Sequence, residues 1–238
     1  MKKFEELGLG QEFLENLKAE GLEIPSEIQE KTIPLALAGR DIIGGAATGS
    51  GKTLAFSSAI IEHLVPNGKV QALILTPTRE LADQVCDAVE QFSKHKELRT
   101  IAVYGGVDIN RQIRQLSHTD IVVGTPGRIL DHLNRRTIRL NLVKFLVLDE
   151  VDRMLDMGFL RDVEKILAQC ATDRQTMLFS ATISPSMIHL AKKHTKNAEE
   201  IAVQSYVDHS KLKQVYYDLE NDEKMSLLIH LLQKGEGG

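Results

Sequence analysis

Ala46-Ala47-Thr48-Gly49-Ser50-Gly51-Lys52-Thr53 is the stretch on which the fold turns. It stands between a short apolar run, Asp41–Gly45, and a long segment of helical spacing, Lys52–Leu64. A glycine-rich turn that leaves a strand and opens a helix suits a phosphate. Backbone N–H groups surround the anion, Lys52 reaches its outer phosphates, and the Thr53 hydroxyl meets Mg²⁺. Gly49 and Gly51 let the main chain approach without a Cβ clash. Ala46 stands where the general G-x-x-x-x-G-K-[ST] pattern has its first glycine. A mobile turn with an exposed lysine could show the same letters, so the surroundings decide.

Outward from this loop the chain alternates regularly. Further strand candidates are Val70–Thr76, Thr100–Tyr104, Asp120–Gly124, Lys144–Leu148, Gln175–Ser180 and Glu200–Val203. Several are apolar at successive positions, as strands buried on both faces of a parallel sheet are. Between them lie helical patterns over Arg79–Phe92, Ile109–Leu116, Gly127–Asn134, Phe159–Cys170 and Pro185–His194. Repeated strand–helix units predict an α/β fold, a three-layer α/β/α sandwich with a mainly parallel sheet. Ligands of such folds bind at the carboxyl ends of the strands. Two more helical patterns come first: Gln11–Glu20, stopped by Gly21, and Ser26–Ala38, opened by Pro25-Ser26 and stopped by Gly39.

The acidic partner of the loop is Asp149-Glu150-Val151-Asp152, which follows the largely apolar Val143–Leu148. Asp149 at the tip of a buried strand can hold Mg²⁺ through its water shell. Glu150 can orient or deprotonate a water for attack on a terminal phosphate. The alternative is a charged loop that only caps a strand. Met154-Leu155-Asp156-Met157-Gly158-Phe159 is apolar at helical spacing and reads as core.

Composition sets limits. The chain has 238 residues, 42% of them hydrophobic and 26% charged, enough for a real core. The net charge of -4 gives no whole-chain basic signature of a nucleic-acid binder. Only two cysteines occur, Cys86 and Cys170, and neither pairs with a histidine at ligand spacing. A zinc site or disulfide framework is therefore not expected, and a reducing compartment is. No stretch is apolar enough for a signal peptide or a membrane span, so the expectation is a cytoplasmic chain with no membrane contact, a nuclear location remaining open. Arg135-Arg136-Thr137-Ile138-Arg139 reads as a solvated loop, with a supporting nucleic-acid role as the alternative. After Val203 the pattern changes to a polar stretch, Gln204–Lys213, a strand-like Gln214–Leu219 and a helical Glu223–Gln233. A lone strand and helix bury no core, so this is either an appendage or the opening of a second domain.

The order of these motifs resembles the first RecA-like domain of DEAD-box ATP-dependent RNA helicases, from about Phe4 to Val203. Gly21-Leu22-Glu23-Ile24-Pro25-Ser26-Glu27-Ile28-Gln29 is similar to the family's Q motif, with Phe4 as its upstream aromatic. Pro77-Thr78-Arg79-Glu80-Leu81-Ala82 is similar to motif Ia, Gly105-Gly106 to the GG element, and Thr125-Pro126-Gly127-Arg128 to motif Ib. Ser180-Ala181-Thr182 matches motif III, and Val151 replaces the alanine that names the family.

The resemblance implies a RecA-like P-loop NTPase with ATP and Mg²⁺ as its ligands. Gln29 would read the adenine edge, since an amide donates and accepts at once, and Phe4 would stack on the base. Thr48, Gly49, Ser50, Gly51, Lys52 and Thr53 would hold the phosphates, with Lys52, Asp149 and Glu150 catalytic and Thr53 and Asp149 at the metal. Pro77, Thr78, Arg79, Gly105, Gly106, Thr125, Gly127 and Arg128 would bind RNA through its sugar–phosphate backbone, which carries no sequence information. Ser180 and Thr182 would bond to Asp152 and couple ATP state to RNA binding. Residues 1–39 would form a Q-motif helical segment, 40–205 the ATP-binding domain, and 206–238 a linker and the start of a second RecA-like domain. Needing that domain in cis for its arginine fingers, the chain is expected to be monomeric and nearly inactive alone. A nucleotide-binding scaffold without turnover is the alternative.

Overall fold

The computed structural model describes residues 2–203, 215–220 and 223–234. The chain divides into two units, Met1–Gln204 and Ser205–Gly238.

In the first unit a 3₁₀ turn, Phe4–Leu7, leads to α1 (Gln11–Ala19) and α2 (Glu27–Leu37). Strands and helices then alternate: β1 (Ile42–Gly45), α3 (Lys52–His63), β2 (Ala72–Leu75), α4 (Arg79–Phe92), β3 (Thr100–Val103) and α5 (Ile109–Leu116). They continue through β4 (Ile121–Gly124), α6 (Pro126–Asn134), β5 (Phe145–Leu148), α7 (Val151–Asp156), α8 (Leu160–Leu167), β6 (Gln175–Ser180), α9 (Pro185–His194) and β7 (Glu199–Ala202). The strands form one seven-stranded sheet in the order β3-β4-β2-β5-β6-β1-β7. Every pairing is parallel, which sharpens the expected "mainly parallel" to wholly parallel.

Alternate side chains of each strand enter opposite layers. Ile42, Ala72 and Ile74 join the core beneath α1–α4, with Phe13, Ile28, Phe56 and Val89. Ile43, Leu73 and Leu75 join the core beneath α6–α9, with Ile129, Met154, Val163 and Met187. The expected three layers follow directly. No described helix is long and apolar enough to cross a membrane.

Differences from the sequence reading are local. The acidic stretch is not a plain loop: it opens a separate short helix, α7, whose Met154 is buried while Met157 is exposed. The apolar spacing read over Met154–Phe159 spans the end of this helix and the turn after it, so the expected core stretch is buried only in part. The expected Phe159–Cys170 helix is shorter, and Phe159 is its N-cap. In the second unit, residues 215–220 form no strand, and Gln204–Gln214 lie outside the described residues. Their β-favouring tyrosines meet no partner edge, and Tyr216 is 91% exposed. α10 (Lys224–Lys234) matches the helical pattern there and buries none of its side chains.

Gly44 shows how tightly the layer beneath α1–α4 is filled. A Cβ at this position would lie 2.5 Å from the Phe179 ring, which itself packs 5.5 Å from Phe56. Gly44→Ala should cost about 1–3 kcal/mol in urea unfolding, and Phe179→Leu in the same chain should recover part of it.

Candidate active site

The candidate phosphate, metal, RNA and coupling residues lie at or just beyond the carboxyl end of a strand or within the first turn of the helix that follows it; Phe4 and Gln29 do not. The loop of residues 46–51 follows β1, residues 76–79 follow β2, 104–107 follow β3, Thr125 follows β4, Asp149 follows β5 and Ala181 follows β6. Strand order then sorts them. β3, β4 and β2 carry Gly105, Gly106, Thr125, Arg128 and Arg79 at one side. β5, β6 and β1 carry Asp149, Glu150, Ser180 and the phosphate-loop residues at the other. At about 4.8 Å per strand, the two groups spread over roughly 24 Å of one sheet edge.

The phosphate loop begins with Ala46, whose N–H donates to the Ser180 carbonyl at 3.0 Å. Gly49 (φ 79°) and Gly51 (φ 91°) adopt left-handed backbone, which glycine tolerates. Gly51 caps α3 without a side chain, so the first N–H groups of that helix keep their positive end bare. Lys52 is only 6% exposed, and its Nζ has no hydrogen-bond partner. Asp149 Oδ1 stands 3.7 Å from it, close enough for Coulomb attraction and too far for a hydrogen bond. A buried ammonium with unmet donors at an uncapped helix start has the chemistry to hold an anion.

The acids are held in unusual states. Burial pushes the Asp149 carboxyl above the ordinary aspartate range; Lys52 pulls it back, and Glu150 reinforces the rise. Glu150 is buried with left-handed backbone (φ 50°), a conformation that costs energy outside glycine. Its Oε1 accepts from Thr48 Oγ1 at 3.2 Å, and its Oε2 from Arg153 Nη1 at 2.7 Å. Arg153 was not anticipated, although its position three residues after Glu150 on a helix is the spacing of an ion pair.

Asp152, Ser180 and Thr182 come together. Asp152 Oδ2 accepts from the N–H and the hydroxyl of Thr182, both at 2.9 Å. Asp152 N–H donates to Ser180 Oγ at 3.2 Å, and that hydroxyl donates to the Thr182 carbonyl at 2.7 Å. Burial raises the Asp152 pKa, but the bonds from Thr182 and from Arg153 N–H outweigh it, and the net shift is downward. Val151 beside them is buried among Leu148, Met154 and Leu178 on the other side of the sheet.

Gln29 docks its segment onto the phosphate loop. Its Oε1 accepts from Ser26 N–H at 2.8 Å, and its Nε2 donates to the Gly51 carbonyl at 3.1 Å. Ser26 Oγ adds a bond to the Ser50 carbonyl at 2.7 Å. Both ends of the Gln29 amide are thus occupied by protein in this form. Phe4 is 3% exposed and packed in the core beneath α1–α4, and it is among the residues lining a cavity of about 610 Å³ with Leu22, Glu23 and Ile24.

At the far side, Thr78 caps α4 by accepting from Leu81 N–H, and Thr125-Pro126 opens α6. Arg79 Nη1 reaches the Gly105 carbonyl at 3.5 Å, and Gly106 (φ 89°) lies so near that a Cβ would come within 2.5 Å of the guanidinium. Pro77 is buried, whereas Arg79, Gly106 and Gly127 are exposed. The basic cluster 135–139 lies elsewhere: α6 runs back from the carboxyl end of β4, so it delivers these residues to the opposite edge of the sheet.

A parallel sheet with its phosphate loop after the first strand and its carboxylates two strands away, with β6 between them, is a RecA-like P-loop domain. The chain belongs to the DEAD/DEAH box helicase family, whose profile matches residues 26–191. It is 45% identical over 233 residues to the ATP-dependent RNA helicase CshA of Limosilactobacillus reuteri, covering 97% of this chain and 47% of that one. Against the Listeria monocytogenes protein of the same name the identity is 46%, over 98% of this chain and 45% of the relative. The crystal structure of a DEAD box protein from Methanococcus jannaschii superposes with a TM-score of 0.83 at 44% identity, over 97% of this chain and 63% of that one. The chain spans about half the length of the curated relatives it matches.

The Asp152–Thr182 contact has a pH signature. A carboxyl whose folded pKa is depressed stabilises the fold above its unfolded value, about 3.9, and loses that stabilisation as pH falls through the folded value. Thr182→Val should lower stability by about 0.5–1 kcal/mol at pH 7, because the contact is partly solvated. The difference from wild type should shrink as pH falls through the depressed folded value, as read from urea midpoints.

Proposed function

We propose that this chain is the ATP- and RNA-binding half of an ATP-dependent RNA helicase. The observation that carries this is Lys52, a buried cation without a hydrogen-bond partner at the bare start of α3, facing Asp149. A nucleoside triphosphate supplies the missing partners: its phosphates accept from Lys52 and from the N–H groups of residues 49–53. Adenine falls to Gln29, once its amide leaves Gly51 and Ser26, and to Phe4, which lines a cavity with Leu22 and Glu23. Thr53 and Asp149 are the residues that would hold Mg²⁺, and their hydroxyl and carboxylate oxygens suit a hard cation. When bound, the ion would neutralise charge on the phosphates. The upward-shifted Asp149 supports this, because a carboxylate that is costly to ionise in the empty site gains from a cation beside it.

Glu150 is the general base, and its bonds to Thr48 and Arg153 aim it across the loop. RNA lies along the β3, β4 and β2 end of the edge, where helix starts, Arg79 and Arg128 meet phosphates without reading bases. The Asp152–Thr182 bonds tie the end of β5 to that of β6 beside the phosphate loop, and we read them as coupling ATP state to RNA binding. Residues 206–238 are read as a linker and the opening of a second RecA-like domain, supported by the relatives' greater length. The chain is read as a monomeric, cytoplasmic half-enzyme whose second half supplies the arginine fingers.

Lys52→Ala should remove ADP binding in calorimetry, and unchanged affinity would refute the phosphate assignment. The chain alone should hydrolyse ATP very slowly. Fusing the missing half should raise RNA-stimulated turnover by roughly 10³–10⁵. Absent turnover in that fusion would favour the scaffold alternative, and equal stimulation by DNA would overturn the RNA assignment.

A further inference from the structure

Two buried polar side chains have no part in the site so far. Gln112 on α5 is 3% exposed, and His132, one turn beyond Arg128 on α6, is fully buried. They meet each other. Gln112 Oε1 accepts from His132 Nε2 at 3.0 Å and from Arg128 Nη1 at 2.9 Å. The Gln112 Nε2 donates to the Tyr104 carbonyl at 3.1 Å. Arg128 also reaches the Val107 carbonyl, through both terminal nitrogens, at 3.3 Å. On the other side of the ring, His132 Nδ1 and Thr137 Oγ1 are 2.7 Å apart.

Hydrogen-bond chemistry assigns the protons. An amide oxygen only accepts, so His132 carries a proton on Nε2. Burial, and then the Arg128 charge, hold the ring's pKa below the usual histidine value, so the ring is neutral at pH 7. Nδ1 is then bare and accepts from the Thr137 hydroxyl, whose proton is shared with the His132 carbonyl at 3.1 Å. In this tautomer the Gln112 amide cannot flip, because its NH₂ would face the His132 N–H and the guanidinium together. A polar network in an otherwise apolar layer gives little stability that leucines would not. It fixes directions instead.

We infer that Gln112, locked in orientation by His132, is a positioning residue that sets the Arg128 guanidinium and the 104–107 turn in one arrangement for an RNA backbone. This rests on the RNA-binding assignment above. A preorganised arginine loses less freedom on meeting a phosphate than a free one.

The test is a double-mutant cycle on this chain with a single-stranded RNA oligonucleotide at low ionic strength. Gln112→Leu should weaken binding roughly 3- to 10-fold in the wild-type background and have no further effect once Arg128→Ala is present. ADP affinity should stay unchanged. His132→Gln, which keeps an N–H toward Gln112, should retain most of the RNA affinity, and His132→Leu should lose as much as Gln112→Leu. Equal losses in both arginine backgrounds would mean general loosening and would overturn the inference, as would no loss at all. If the wild-type chain binds no RNA, the functional assignment falls and takes this inference with it. If it binds but the cycle is additive, only the inference falls.

Discussion

Every strand of the sheet runs the same way, and each must return through a helix on one face or the other. That single constraint places all seven carboxyl ends on one edge. Helices leave from that edge, so their N-termini gather there too, each with unbonded N–H groups and a positive end. A surface of this kind attracts phosphate before any side chain is considered. The side chains then divide it, with the lysine and carboxylates at the β1–β6–β5 end and the arginines and capped helix starts at the β2–β4–β3 end.

The nucleotide end is held in a state that favours ligand over solitude. Asp149 is buried beside a lysine too distant to bond, and Glu150 sits in strained backbone. Gln29 and Ser26 close onto the phosphate loop from α2. Each is locally unfavourable or self-satisfied, and the packed layers around Phe56 and Phe179 keep them in place. Functional sites commonly concentrate such costs, while the core holds the fold. The other end is built differently. Arg79 and Arg128 are steered by carbonyls and by one buried amide, and among the described residues neither forms a direct ion pair.

A net charge of -4 gives no basic signature of a nucleic-acid binder, and the proposed RNA reading is compatible with it. A binder that uses helix starts and two directed arginines along one edge needs no basic surface. The basic run 135–139, the feature most suggestive of nucleic acid by composition, lies at the opposite edge, because α6 carries it there. Charge counts describe a chain, and phosphate contacts depend on a few square nanometres of it.

From the sequence alone one could read the layers, the parallel sheet, the phosphate loop and the acidic box. Each rests on periodicity or on a motif of fixed spacing between a strand and a helix, and both are local properties of the chain. Only the tertiary structure decided the strand order, and with it which motifs are neighbours: crossover connections leave no trace in spacing. It also decided that Phe4 is packed, that Gln29 bonds to Gly51, and that Arg153 holds Glu150. Gln112 and His132 were invisible for the same reason. They are 20 residues apart, on helices whose patterns mark them as ordinary polar positions. Folding alone brings their one oxygen and one N–H together with Arg128, because a long-range hydrogen bond is a property of the packed layers.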